Sequence, residues 1–436
     1  MEWYNLVSFS GIFVLMGLAW VFSSHKRLIN WRVIVWGLIF QLLFALFVFL
    51  VPAGTKMFLV LNNLVVAIMD SATEGAKFVF GRLAIPPGIV NSMGESSMGF
   101  FFAFQSLPTI IFFSALMSIL YYVGIMSFII RIFAYLFTKF MHISGAESLS
   151  AASNIFVGVE STLTIKPHLS EMTRSELCTV LTVGMATVSS NILAVYVFCL
   201  KDQFPAIAGH LISASFLSAP AALIMSKIIL PESETPKTLG MHVHPHYEKE
   251  RNVFEAVING ANAGVRLIVG IVALLIAVLG LVALIDLFLQ FFGGKLNLLL
   301  GIQIDWSLKG LLGYLFYPLT IIIGVPVSDA DVISKIIGER AIVTELTAYQ
   351  DLADIIGKGV LLHPRSIIIA TYALCGFAHI ASLAIFMGSI TALVPNRIHT
   401  FTQIGFRPLI ASTLACLMTA CVAGTFCTNT SLLLGK

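Results

Sequence analysis

The sequence predicts an all-α integral membrane protein with eight transmembrane helices and two re-entrant hairpins. The 436 residues are 58% hydrophobic and only 11% charged, whereas soluble proteins carry about a quarter charged residues. Eight segments are apolar over the ~20 residues that a membrane-spanning helix needs. Three further regions, 57–100, 144–172 and 311–355, are too apolar for exposed loops, and Gly, Pro, Ser and charged residues interrupt them too often for simple spans.

The predicted spans follow one another along the chain. The first apolar run is followed, not preceded, by the basic cluster "HKR", so we expect a retained helix and not a cleaved signal peptide. Residues 57–80 could lie along the membrane interface as an amphipathic helix. The eight predicted spans are 5–24, 33–53, 107–130, 176–200, 206–230, 263–292, 366–394 and 406–433.

The predicted re-entrant hairpins are 144–172 and 311–355. Irregular backbone at membrane depth is stable only where protein or a wet cavity satisfies its polar groups. Each region contains a Glu (Glu160 and Glu345), and an Arg-Ser pair and a helix broken midway by small or polar residues follow. Paired interrupted segments in two halves are typical of secondary transporters. Chance similarity between apolar segments is the alternative.

A polar stretch at 231–252 divides the chain into two halves. We therefore expect N-terminal scaffold helices (1–105), a first repeat (106–230), a polar linker (231–262) and a second repeat (263–436). The linker contains "HVHPH". An exposed loop is favoured over a metal site, because no carboxylate or Cys stands at ligand spacing. The sequence gives no function to these three histidines, His242, His244 and His246.

Basic residues set the expected orientation. Lys26, Arg27 and Arg32 lie in the short loop 25–32, which the positive-inside rule places in the cytoplasm. Both termini are then outside a bacterial inner membrane. We also expect Lys166, Arg174 and Arg365 to be cytoplasmic or interfacial anchors.

Several classes of function are excluded or unsupported. The net charge of +3 gives no sign of nucleic-acid binding. The six cysteines form no C-x-x-C pair, so neither a zinc site nor a disulfide scaffold is expected. The chain has no P-loop and no hydrolase motif. We expect a transporter or binding protein and not an enzyme.

Two intramembrane carboxylates are the strongest candidate site residues. A carboxylate at the bilayer centre costs ~2.5–3.5 kcal/mol on insertion scales, so Glu160 and Glu345 are expected to face a cavity. They could accept hydrogen bonds from sugar hydroxyls or base N–H groups, or bind a cation or proton. A helix cap is the alternative, and for Glu147 in "SGAESLS" both remain open.

Neutral oxygens form a second group. Asn154, Thr187, Ser189, Ser190 and Asn191 offer hydroxyl and amide oxygens near expected helix breaks, where free carbonyls bind Na⁺ in transporters. Ordinary Ser/Thr helix packing is equally consistent with them.

The seventh predicted span places a histidine in the membrane. His379 and Ser382 lie in "CGFAHIASLAIF". Opposite an intramembrane Glu, His379 is expected to line a cavity. It could also titrate near neutral pH, so proton coupling stays open.

At these residues the sequence resembles the concentrative nucleoside transporter family. The resemblance implies a homotrimer with eight spans, two re-entrant hairpins and inverted repeats, which imports nucleosides with Na⁺ or H⁺. It covers most of the chain, through "FAFQSLPTIIFFSALMSILYYVGIM", "SGAESLSAASNIFVG", "MTRSEL", "GVPVSDADVISKIIGERAIVTELTAY" and "RSIIIATYALCGFAHIASLAI".

The resemblance implies a substrate site, altered at several positions. The first hairpin of the family reads G-Q-T-E-A-P-L, and here it is "GVESTL", one residue shorter. In the second hairpin and the next span, Thr344 and His379 each replace a family Asn. Ribose recognition is therefore expected to be half kept and base recognition altered. The implied substrate residues are Val159, Glu160, Thr344, Glu345, Phe377, His379 and Ser382.

The Na⁺ pattern matches the family more closely. The resemblance implies that Asn154, Val157, Thr187 and Val188 hold Na⁺. We therefore expect Na⁺ coupling, with H⁺ coupling as the alternative and no other cofactor. The partners expected are a nucleoside, copies of this chain and the lipid bilayer. A nucleoside-binding membrane sensor or passive channel is the alternative from another class, and the sequence does not identify the nucleosides.

Overall fold

The structure, a computed structural model, is helical throughout the part that it describes. It describes residues 3–86, 90, 94, 96–158, 161–246, 250–361 and 363–427. Within these ranges no β-strand forms, and only two isolated bridges occur, Val90 with Ser96 and Ser144 with Leu239.

Nineteen α-helices are described along the chain. They are α1 Trp3–Val21, α2 Trp31–Leu50, α3 Pro52–Phe80, α4 Phe102–Gln105, α5 Pro108–Tyr122, α6 Ile125–Leu136, α7 Gly145–Asn154, α8 Ser161–Thr164, α9 Arg174–Ala186, α10 Ser190–Leu200, α11 Ile207–Ile229, α12 Val253–Leu300, α13 Leu308–Ile322, α14 Val327–Ile342, α15 Glu345–Gly357, α16 Pro364–Leu374, α17 Ile380–Leu393, α18 Ile398–Ile404 and α19 Arg407–Phe426.

Eight helical stretches of the described chain are long and apolar enough to cross a membrane. Seven overlap predicted spans. The eighth is Pro52–Ala84, which contains α3, and the interfacial position expected for 57–80 stays a prediction. The predicted span 366–394 is instead two shorter helices, α16 and α17, because residues 375–379 break it.

The predicted span 107–130 is wrong in its last third. Helix α5 ends at Tyr122, and Gly124 has φ 88°, a left-handed conformation that favours glycine. A separate helix, α6, begins at Ile125. The chain therefore turns after α5 instead of continuing straight.

Two helical hairpins are present. Hairpin 1 consists of α7 and a return limb formed by α8 and the 3₁₀ segment Lys166–Glu171, within the predicted 144–172. Hairpin 2 consists of α14 and α15, so the predicted range 311–355 is wrong at its start. Residues 308–322 form the separate helix α13, which packs along α14. The left-handed Gly324 (φ 90°) ends α13 before hairpin 2 begins.

The broken helices after the two hairpins start on opposite sides of the molecule. Helix α1 is about 28 Å long at 1.5 Å per residue, so its ends mark the two sides. Ser175, in the first turn of α9, donates to Leu230 O at 2.8 Å, and Ser24, just after α1, donates to the last residue of α11. Arg365, in the first turn of α16, donates to Asn5 Oδ1 at 2.5 Å. Helices α9 and α16 therefore run in opposite directions, as inverted repeats require.

Arg365 is a buried structural clamp and not the interfacial anchor expected from sequence. It is 3% exposed. Its guanidinium joins α1 and α19 to the start of α16. The acceptors are Tyr4 O, Asn5 Oδ1, Ser8 Oγ, Gly324 O and Gly424 O.

A buried lysine organises the base of hairpin 1. Lys227 Nζ lies 2.5 Å from Glu147 Oε1 and 3.6 Å from Glu232 Oε2. Glu147 also closes the capping box that starts α7, and Glu176 closes an equivalent box at the start of α9. The capping role left open for Glu147 is therefore present. Burial makes this ion pair costly to break.

The linker is held against hairpin 1 and is not a free loop. Gly145 N–H donates to Thr238 O at 2.8 Å, and His246 N–H donates to Thr164 O at 2.9 Å. The His242 ring stacks on Tyr135 at 5.0 Å. Helix α12 begins at Val253, so the linker ends before the predicted residue 262. In the described part of the chain no group of His, Cys, Asp or Glu residues could hold a metal ion.

Candidate functional site

The tip of hairpin 2 presents a buried carboxylate. Thr344 caps α15 by accepting the Thr347 N–H, and Glu345 is the first residue of that helix. Thr344 is 4% exposed and Glu345 is 2% exposed. The N-terminus of α15 therefore holds the Glu345 carboxylate at the tip of hairpin 2.

The break between α16 and α17 crosses the end of α9. At Gly376 φ is 144°, and a Cβ there would lie 2.7 Å from Ala186 O. Only glycine permits this approach. The two breaks, at 187–189 and 375–379, therefore lie side by side, which sequence spacing alone does not reveal.

His379 caps α17 in a defined tautomer. Its Nδ1 accepts the Ser382 N–H at 3.2 Å, so Nδ1 is deprotonated and the neutral ring carries its proton on Nε2. Ser382 Oγ donates to His379 O at 2.6 Å. Ser382 therefore orients His379, while His379 faces the carboxylate of hairpin 2.

Two buried side chains from different elements, Tyr196 and His379, meet at Glu345. Tyr196 OH on α10 donates to Glu345 Oε1 at 2.6 Å. His379 Nε2 lies 3.2 Å from Glu345 Oε2. The two atoms face each other, but among the described residues neither forms a hydrogen bond of good geometry. The Phe377 ring packs edge-on against His379 at 4.6 Å. The structure thus brings Glu345, His379 and Phe377 together, and their role as substrate residues stays a prediction.

Tyr196 is the residue that sequence reasoning missed. It lies in the apolar stretch "NILAVYV", where an aromatic residue is most simply a packing residue. A signal was present, because a Tyr hydroxyl buried in a membrane helix needs a hydrogen-bond partner. That partner, Glu345, is 149 residues away in the chain.

A small cavity lies beside this cluster. Thr344 and Glu345 are its polar lining, and apolar residues of α10 and α12 form most of the remainder, with Leu107 just before α5, Leu346 and Phe377. An apolar wall with a few convergent polar groups is typical of sites for small organic ligands. The carboxylate can accept hydrogen bonds from hydroxyl or N–H groups there.

The tip of hairpin 1 presents unsatisfied oxygens. Asn154 is fully buried, and its Nδ2 donates to Ser150 O at 2.9 Å. Among the described residues, its Oδ1 has no hydrogen-bond partner. A buried amide oxygen without a partner is costly unless a ligand or ion completes it. Asn154 therefore fits the Na⁺ ligand that the resemblance implies.

The other implied Na⁺ residues lie at the same junction. Thr187 is the C-cap that follows α9, and its hydroxyl donates to Val183 O at 2.9 Å, which leaves its lone pairs free to accept. Ser190, at the start of α10, donates to Phe156 O through both N–H and Oγ, at 3.0 and 2.8 Å. These bonds hold the hairpin tip, with Val157, against the break that contains Val188.

Two implied substrate residues, Val159 and Glu160, lie outside the described residues. A larger cavity, about 1070 Å³, reaches the hairpin-1 tip at Val157 from the linker side. Its lining includes Arg131, Lys166, His244 and His246. Lys166 therefore lines a cavity as well as lying near the surface, and two linker histidines gain a position that the sequence did not give them.

Family models match three parts of the chain. One, described as Na⁺ dependent nucleoside transporter N-terminus, covers residues 10–83. A second, described as nucleoside recognition, covers 103–203. The third, described as Na⁺ dependent nucleoside transporter C-terminus, covers 210–424.

Relatives match over nearly all of the chain. Nucleoside permease NupC of Helicobacter pylori is 37% identical over 426 residues, which are 97% of this chain and 98% of the relative. Solute carrier family 28 member 3 of Mus musculus is 36% identical over 434 residues, or 96% of this chain. The chain spans only 58% of the length of that mouse protein.

Solved structures match as a whole. A structure of CNTnw in an inward-facing substrate-bound state has a TM-score of 0.85 and 32% identity, and the match covers 98% of this chain and 100% of that chain. An outward-facing structure of substituted CNTnw has a TM-score of 0.87 and 32% identity, with 97% of each chain covered. Since both states match about equally well, the likeness establishes the fold and not the transport state.

Proposed function

Because this chain belongs to the family of concentrative, Na⁺-dependent nucleoside transporters, we propose that it is a symporter that uses a Na⁺ gradient to import nucleosides. The family consists of transporters and not of enzymes. The fold is that of the concentrative nucleoside transporters, and the chain is a multi-pass membrane protein.

The buried Glu345 carries the substrate part of this proposal. Tyr196 fixes one oxygen, and the other faces His379 Nε2. Each carboxylate oxygen has a second lone pair that can accept a sugar hydroxyl. The Phe377 ring and the apolar cavity wall offer a surface for a base. Nucleosides combine these two features, a hydroxylated sugar and a flat base.

The unpartnered Asn154 Oδ1 supports the Na⁺ part. Asn154 and Thr187 supply side-chain oxygens, and Val157 and Val188 would add main-chain carbonyls. Helix breaks and half-helix ends supply such ligands to Na⁺ in transporters. All four groups are neutral, which suits a monovalent ion that must bind and leave.

The orientation follows from charge. Loop 25–32 and the linker lie on one side of the molecule, and Asn5 and Cys427 lie together on the other, joined by a hydrogen bond of 3.3 Å. We place the basic loop 25–32 in the cytoplasm of a bacterial inner membrane and both termini outside.

We also propose a homotrimer, as the family resemblance implies. The most apolar window of α12 has no buried residue. This helix therefore offers an extended apolar face to lipid or to a neighbouring copy. Native mass spectrometry in detergent would give three chains, and a monomer at every detergent concentration would refute the trimer.

Reconstitution tests the proposed function. Proteoliposomes should accumulate labelled uridine or adenosine under an inward Na⁺ gradient and stop when choline replaces Na⁺. No uptake of any nucleoside under Na⁺ or H⁺ gradients would overturn the proposal. Nucleoside binding without accumulation would instead indicate a sensor or passive channel.

Proton coupling is a second candidate, favoured by the contact between His379 and Glu345. These titratable groups lie 3.2 Å apart in a buried site, where a proton could replace Na⁺ as the coupling ion. Uptake that survives replacement of Na⁺ by choline but is abolished by a protonophore would select this alternative.

A further inference from the structure

We propose that Tyr196 is a positioning residue that couples Na⁺ binding to nucleoside binding. This inference rests on the proposed function and assigns a task to a residue outside the family-derived site. Tyr196 is neither one of the implied Na⁺ ligands nor one of the residues that line the cavity. It acts through Glu345, whose Oε1 it holds at 2.6 Å.

Helix α10 connects the implied Na⁺ site at the hairpin-1 tip to the substrate site at Glu345. Its first residue, Ser190, holds the carbonyl of Phe156 at the tip of hairpin 1 through two hydrogen bonds. Tyr196 follows six residues later, about 9 Å along the helix axis. A shift at the hairpin-1 tip is therefore transmitted directly to the Tyr196 hydroxyl.

The Tyr196 ring has little freedom of its own. It is fully buried and packs on the Tyr349 ring with centroids 4.5 Å apart. Tyr349 is itself held by a hydrogen bond of 2.7 Å to Thr371 O. Because the ring cannot move independently of α10, its hydroxyl moves when that helix moves.

Na⁺ would act at the start of this connection. An ion held by Asn154 and Thr187 joins the hairpin-1 tip to the break before α10. That ordering fixes Tyr196, and Tyr196 then presents Glu345 in one orientation to the nucleoside. Since coupling between two binding sites is reciprocal, nucleoside should raise the affinity for Na⁺ by the same factor.

The test is a pair of conservative substitutions. Tyr196→Phe removes the hydroxyl and keeps the ring stack. Tyr349→Phe is the matched control, because it removes a buried hydroxyl from the other ring of the same stack and leaves the bond to Glu345 intact. Equilibrium binding of uridine is measured with and without Na⁺ for the wild type and both variants.

The coupling factor is the ratio of the uridine Kd without Na⁺ to the Kd with Na⁺. We expect Tyr196→Phe to weaken uridine binding in Na⁺ at least about tenfold, the typical effect of losing one hydrogen bond to a charged group. Binding without Na⁺ should change little, so the coupling factor falls towards one. Tyr349→Phe should keep the wild-type factor.

Equal weakening with and without Na⁺ in Tyr196→Phe would overturn the coupling role, and so would an unchanged factor. In either case a Na⁺-dependent wild type would leave the proposed function standing. A wild type that binds no nucleoside would remove the proposed function and this inference together. Thermal unfolding of both variants shows whether each is folded, and a loss of coupling that follows a shared loss of fold in both variants also counts against the inference.

Discussion

Replacing Glu345 by Gln tests the substrate site most directly. The change keeps the shape of the side chain but turns one oxygen into an NH₂ group. His379 Nε2 carries a proton, because Nδ1 accepts the Ser382 N–H. If the new NH₂ faces His379, two donors meet. If it faces Tyr196, the bond at 2.6 Å loses its acceptor.

The size of the effect follows from these contacts. In either orientation the carboxylate that would accept a sugar hydroxyl becomes a neutral amide and loses one of its two contacts, and a hydrogen bond to a charged acceptor is worth about 1.5–3 kcal/mol. At 1.4 kcal/mol per factor of ten, uridine affinity should fall about 10- to 150-fold. The oligomer should still assemble, because Glu345 lies at a hairpin tip and not on an exposed apolar face.

The assay compares uridine with 2′,3′-dideoxyuridine in binding and in proteoliposome uptake. The wild type should prefer uridine, and Glu345→Gln should lose most of that preference, since the lost acceptor is the one that reads the hydroxyls. Glu74→Gln, an exposed carboxylate on α3, is the control and should bind as the wild type does. Wild-type affinity in Glu345→Gln, or an equal loss for both nucleosides, would remove Glu345 from sugar recognition.

Three further substitutions have expected outcomes. Lys227→Met leaves buried carboxylates without their cation, so the free energy of unfolding in detergent should fall by about 3–5 kcal/mol. Lys237→Met breaks only an exposed ion pair and should lower it by at most about 1 kcal/mol. Equal losses in the two variants would contradict the burial argument. Thr187→Val should raise the Na⁺ concentration for half-maximal uptake about tenfold or more. Thr182→Val is the control, because it loses the same kind of hydrogen bond to a main-chain carbonyl earlier in α9 and should leave that concentration unchanged. Matching effects in the two variants would exclude Thr187 as an ion ligand. His379→Asn should retain Na⁺-driven uptake, because Asn also caps a helix through its side-chain oxygen. A variant that loses uptake at low Na⁺ and regains it under a proton gradient would contradict this expectation.

The local pattern of the chain predicts much of the fold. Apolar runs of about 20 residues locate most of the spanning helices, and the small and polar clusters at 187–189 and 375–379 locate both breaks. Two predicted boundaries, the end of span 107–130 and the start of hairpin 311–355, are wrong for a local reason. Gly124 and Gly324 take left-handed conformations that end helices inside apolar runs, and hydropathy does not register a change in backbone direction.

The candidate site was only partly predictable. The sequence singles out Glu345 and His379, because charge and imidazole are rare in membrane spans. The hydrogen bond from Tyr196 was not predictable, since its partner lies on another repeat. The burial of Arg365 was also missed, because a cation at a helix start resembles an interfacial anchor, and only the packing of α1 and α19 around it makes it a clamp.

The sequence by itself determined the membrane class, the two related halves and the residue types that a polar site in lipid requires. Burial of charge is so costly in a bilayer that the mere presence of an intramembrane Glu or His marks a candidate site. Only the tertiary structure decided which of these groups meet. Gly376 lies against the end of α9, Ser190 holds the hairpin-1 tip, and Tyr196 reaches Glu345, because inverted repeats bring two distant breaks to one level. Such contacts depend on packing between helices, and spacing along a chain carries no record of it.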